Sequence, residues 1–61
     1  MATYTDGKGT TIFTDGSVYR ITYAGGYIKH TDLSKWTNDA TQWIENDIKD
    51  GYYQGFRKVE I

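Results

Sequence analysis

The feature that most constrains this chain is a stripe of six apolar residues between Asp32 and Asp50. Leu33, Trp36, Ala40, Trp43, Ile44 and Ile48 recur at spacings of three and four, the repeat of one face of a 3.6-residue helix. In a chain of 61 residues, one helix carrying both tryptophans must close the core. Thr31 or Asp32 is suited to cap its start. Gly51 fits the left-handed position that ends a helix. The Thr37–Thr41 stretch has poor helix propensity, so a restart at Thr37 or Asn38 is an alternative. The stripe stays in phase across that stretch, which favours one helix over 32–50.

Glycine-marked, Tyr- and Thr-rich segments of strand character flank this stripe. Asp15-Gly16 and Gly25-Gly26 each read as two-residue hairpin turns. The first sets Ile12 opposite Tyr19, and the second sets Ile21 opposite His30. Opposed residues share a face. One face then holds Ile12, Tyr19, Ile21, Tyr23, Ile28 and His30 and should meet the helix. The other holds Thr11, Phe13, Val18, Arg20, Thr22, Ala24, Tyr27 and Lys29. A last strand over 56–61 is expected to turn Val59 and Ile61 inward. Residues 1–9 read as an edge strand or a frayed end. The fold class is therefore α+β: a single domain over 1–61, an antiparallel meander of three or four strands, one helix on one face and a C-terminal strand.

Composition limits what can hold such a domain together. A chain this short buries only about 60% of its unfolded surface. With no cysteine and one histidine, it has neither a disulfide nor the donor set of a structural zinc site. Ten aromatic residues (six Tyr, two Trp, two Phe) are left to supply the core. A homodimer is compatible with so small a core.

The net charge is −1, which gives no general polyanion-binding character. Residues 32–50 carry five acids against two bases, net −3, and the rest three acids against five bases, net +2. No apolar run approaches a membrane span, and no signal-peptide pattern opens the chain. The cytoplasm is the default expectation.

Catalytic chemistry finds little support. Ile12-Phe13-Thr14-Asp15-Gly16-Ser17 resembles the first-strand motif of type 1 ribonucleases H, in which the Asp binds catalytic magnesium. Only Asp15 carries over, and two-metal chemistry needs several more oxygen ligands. The chain repeats Thr-Asp-Gly at 5–7, so the tripeptide is read as a turn. His30 with Thr31, Asp32 and Ser34 sits at a strand-to-helix junction, where such residues cap helices. His30 is expected to be partly buried and structural. Asp39, Glu45, Asp47 and Asp50 lack the alternation of an EF-hand loop and read as a solvated face. No catalytic, cofactor-binding or metal-ligating residue is nominated, and the chain is not expected to be an enzyme.

What is left is binding. The leading expectation is a small protein-binding module of inhibitor or adaptor type, with Phe13, Tyr27, Tyr53 and Phe56 as contacts and another protein as partner. Of the Tyr52, Tyr53 and Phe56 cluster, Tyr53 is expected to lie exposed. Small phage accessory proteins that act on a host protein have this scale, an argument from analogy alone. The alternative is a DNA- or RNA-binding module using Arg20, Thr22, Tyr27, Lys29, Arg57 and Lys58, because cations meet phosphate and aromatic rings stack on bases.

Overall fold

The computed structural model describes residues 1–59. Five strands and one helix follow in chain order: β1 (Ala2–Thr5), β2 (Thr11–Asp15), β3 (Val18–Thr22), β4 (Ile28–Asp32), α1 (Ala40–Lys49) and β5 (Arg57–Val59). The strands form one antiparallel sheet in the order β4-β3-β2-β1-β5. The α+β expectation holds. The N-terminal segment is not an edge strand: β1 pairs with β2 on one side and β5 on the other. Its Tyr4 is 1% exposed. The chain between β4 and β5 must therefore cross from one edge of the sheet to the other, about 19 Å at ordinary strand spacing. The ten residues of α1 cover about 15 Å of that path.

Alternation along the strands sorts the sheet into two faces. Ala2, Tyr4, Ile12, Tyr19 and Ile21 are buried on one of them and form a single cluster with Leu33, Ala40 and Ile44. Ile48, Tyr53 and Phe56 pack against its border. Thr14 is the buried polar residue of this face. Its Oγ1 donates to the Ala2 carbonyl at 3.2 Å and accepts from Thr41 Oγ1 at 3.1 Å, so both hydroxyls are satisfied.

The hairpin turns differ from the sequence reading. β2 and β3 pair Asp15 with Val18 and Ile12 with Ile21, which makes Gly16-Ser17 the two-residue loop. Gly16 has φ +60° and no non-glycine residue of the described chain has positive φ. A turn centred on Asp15-Gly16 would force Asp15 into that region, whereas a Gly-first turn needs positive φ only at the glycine. The faces expected for β2 and β3 are preserved, because the pairing slips by two positions.

At β3–β4 the consequence is larger. Tyr23 pairs with Tyr27, whose carbonyl accepts from the Tyr23 N–H at 2.8 Å, and the Gly26 N–H donates to the Tyr23 carbonyl at 2.8 Å. The loop is thus Ala24-Gly25-Gly26, three residues, with Gly26 at φ +90°. Ile21 faces Lys29 and Arg20 faces His30. Ile28 and His30 leave the core face, where Lys29 and Thr31 replace them, and Tyr27 and Lys29 do not share a face with Arg20 and Thr22. Val59 faces Thr3 and lies on the outer face rather than in the core. Ile61 falls outside the described residues.

The helix is shorter than the stripe that predicts it. The Trp36 and Thr37 N–H groups donate to the Leu33 carbonyl in a separate turn. Thr37 Oγ1 accepts from the Asp39 N–H at 3.0 Å, and Asp39, in extended conformation, caps α1 by accepting from the Thr41 N–H at 3.0 Å. Thr, Asn and Asp side chains compete for backbone groups and so break the helix here. Leu33 still reaches the core because its N–H donates to the Ser17 carbonyl at 2.8 Å, while the Ala40 N–H donates to the Gly16 carbonyl at 2.7 Å. Both tryptophans escape the core: Trp36 is 67% exposed and Trp43 40%. At the other end Gly51, φ +91°, occupies the expected position. Its N–H donates to the Ile48 carbonyl and that of Tyr52 to the Asp47 carbonyl, the paired bonds of a glycine-terminated helix.

Candidate functional site

The outer face of the sheet is a three-row surface fixed by strand register. The first row is Asp32, Val18 and Asp15; the second is His30, Arg20, Phe13, Thr3 and Val59; the third is Ile28, Thr22, Thr11, Thr5 and Arg57. No residue of these rows is buried. The Arg20 guanidinium lies 5.4 Å from the centre of the Phe13 ring, a cation–π distance. A cavity of about 290 Å³ opens here, lined by Phe13, Asp15, Val18, Tyr19, Arg20 and His30.

The nominated protein contacts do not converge. Phe13 lies in the middle of the outer face. Tyr27 closes the β3–β4 hairpin, 68% exposed, with its ring 5.6 Å from that of Tyr23. Tyr53 and Phe56 make an edge-to-face pair at 5.6 Å beside the core. Tyr53 is half-buried, and Tyr52, at 78%, is the exposed member of the cluster. Burial, with the Tyr19 hydroxyl and Asp47 nearby, pushes the Tyr53 phenol up to about 12.

The nucleic-acid set divides as well. Arg20, Thr22 and Arg57 share the outer face, where Asp15 and Asp32 also lie; Tyr27, Lys29 and Lys58 lie on the core side of the register. His30 is exposed rather than partly buried. Asp32 Oδ1 accepts from the Ser34 N–H at 2.9 Å, which holds its carboxyl below the usual range. Thus Asp32 and Ser34 of the suggested Ser/His/Asp set form a turn, while His30 and Thr31 lie within β4, paired with β3. Burial and neighbouring Asp50 push the Asp47 carboxyl up. Among the described residues no three His, Cys, Asp or Glu side chains come together as a metal site, and no helix is long and apolar enough to cross a membrane.

Sequence reasoning missed Trp36, Trp43 and Tyr52 as surface aromatics. The available signal was the weak helix propensity of Thr37-Asn38-Asp39, which detaches Trp36 from the helical stripe. No protein-family model, curated protein or solved structure matches the chain.

Proposed function

We propose that the chain is a non-enzymatic protein-binding module of inhibitor or adaptor type, and that its exposed Trp and Tyr side chains are the anchors. The observation behind this reading is the exposure of Trp36, Tyr27 and Tyr52, each two-thirds or more open to solvent. Leaving one Trp this open forgoes about 2 kcal/mol or more of burial, a large cost for a domain with so small a core. Trp and Tyr are the residue types that most often dominate interface energetics. A phage-like accessory role on a host protein is one form of this function.

The nucleic-acid alternative has Arg20, Thr22 and Arg57 on one face in its favour and Asp15 and Asp32 on that face against it. Paired capture from cell lysate tests both readings, with wild type and Trp36→Ala/Tyr52→Ala as immobilised baits. A protein that survives nuclease treatment on the wild-type bait and is lost from the variant is the expected result. Equal retention on both baits overturns the assigned anchors. Loss of all bound material on nuclease, with a steep salt dependence, replaces this reading with the nucleic-acid one.

A further inference from the structure

None of those aromatic anchors belongs to the three rows of the outer face, whose charges form a self-complementary pattern. Val18 lies between Asp15 on β2 and Asp32 on β4, its cross-strand neighbours in the first row. One row on, at a spacing of about 7 Å, stand the Arg20 cation and the His30 imidazole, paired with each other across β3 and β4. Among the described residues Arg20 has the Phe13 ring beneath it and no carboxylate partner. The Asp32 carboxylate is exposed and is held in place by the Ser34 N–H on Oδ1. An acidic row beside a row that carries the Arg20 cation suits an isologous contact, because a two-fold axis between them brings each onto the other.

We propose that this face joins two copies of the chain, stacked face to face about a two-fold axis lying across the strands between the Val18 row and the Arg20 row. Strand β3 of one copy then runs antiparallel over β3 of the other. Arg20 of each copy comes over Val18 of the second, between the Asp15 and Asp32 carboxylates, and His30 comes over Asp32. Stacked sheets keep their strand directions within about 30°, so row still meets row. Thr3, Thr5, Thr11 and Thr22, on the Arg20 side of this axis, are short side chains that allow close approach. The face measures about 24 Å by 15 Å, a smaller footprint than the ~800 Å² per partner of a standard interface. The dimer is therefore weak, with a Kd above about 10 μM, and salt-sensitive.

Sedimentation equilibrium of the full chain from micromolar to millimolar concentration tests this. Wild type should climb toward twice the chain mass, less so at high salt. Arg20→Glu should stay monomeric, as should Asp15→Lys/Asp32→Lys, with circular dichroism confirming that each folds. An equimolar mixture of the two variants should regain the dimer, since both halves of the contact become complementary again. Asp15→Lys alone, which leaves the Asp32 turn intact, should weaken wild-type association at least tenfold and serves if the double variant unfolds. A wild type that remains monomeric at millimolar concentration overturns the proposal. So does an Arg20→Glu chain that dimerises like wild type, or a monomer whose outer-face amide resonances shift only on addition of a short DNA duplex. The Trp36→Ala/Tyr52→Ala chain should dimerise normally, which separates this outcome from the fate of the aromatic anchors.

Discussion

The two hairpins that share β3 respond very differently to the choice of turn. In the β2–β3 hairpin the loop lies one residue further along than an Asp-Gly turn would put it, and each pairing moves by two. Ile12 exchanges Tyr19 for Ile21 as its opposite residue, yet every side chain keeps its face. In the β3–β4 hairpin the loop gains one residue, the pairing moves by one, and all of β4 turns over. An even slip costs nothing in face assignment and an odd slip reverses it, because the side-chain period of a strand is two. Burial follows: β2 and β3 each bury two residues and β4 buries none.

The largest expected effect sharpens that contrast. Ile12 and Ile28 are the same residue type on the two sides of β3, the first fully buried and the second exposed. Ile12→Ala should cost about 2–5 kcal/mol, enough to leave much of the domain unfolded. Ile28→Ala should cost under about 1 kcal/mol. Urea melts of both variants check this, and equal losses would return Ile28 to the core face.

The turns themselves come next. Gly26, at φ +90°, is the residue that lets the longer loop close. Gly26→Ala should cost about 1–2 kcal/mol, the penalty for an L side chain in that region. Gly16→Asn, at φ +60° in open space, should cost less, since Asn tolerates left-handed backbone. Thermal melts rank the two, and the reverse order would mean that the Gly16 turn is the more demanding.

Tyr53 reports on the border between the hairpins, with Tyr19 and Tyr23 of the core face beside it. Its phenol ionises near 10 when unfolded and at about 12 when folded. The unfolded chain therefore releases this proton first as pH rises. The stability tied to the neutral phenol is complete below pH 10 and is lost as pH climbs to about 12. Tyr53→Phe should flatten the decline of melting temperature in that window. An unchanged slope would place the alkaline transition elsewhere.

How much was legible follows the same division. The strands around Ile12 and Ile21, the Ala40, Ile44 and Ile48 part of the helical stripe and the Gly51 terminus could be read because periodicity and glycine chemistry act locally. The length of the helix could not, because periodicity is blind to the side-chain oxygens of Thr37 and Asp39 that capture backbone N–H groups. Of the nominated contacts, Phe13, Arg20 and Thr22 stayed on the outer face with the β2–β3 register. Tyr27 and Lys29 were misassigned because a glycine pair does not reveal whether its loop holds two residues or three. Val59 was misassigned because β5 takes its register from β1, at the far end of the chain.

The smallest expected effect tests the odd slip most directly. Lys29 lies opposite Ile21 on the core face, and His30 lies opposite Arg20 on the outer one. Lys29→Ile would set two β-branched side chains across from each other, a pairing worth about 0.2–1 kcal/mol over a weaker neighbour. It should raise the melting temperature slightly, whereas His30→Ile places its side chain beside a guanidinium and should not. In the two-residue-loop register the roles exchange, because His30 would then face Ile21. A stabilised His30→Ile chain beside an unaffected Lys29→Ile chain would therefore reverse β4, and with it the pairing of Arg20 and His30 on the outer face.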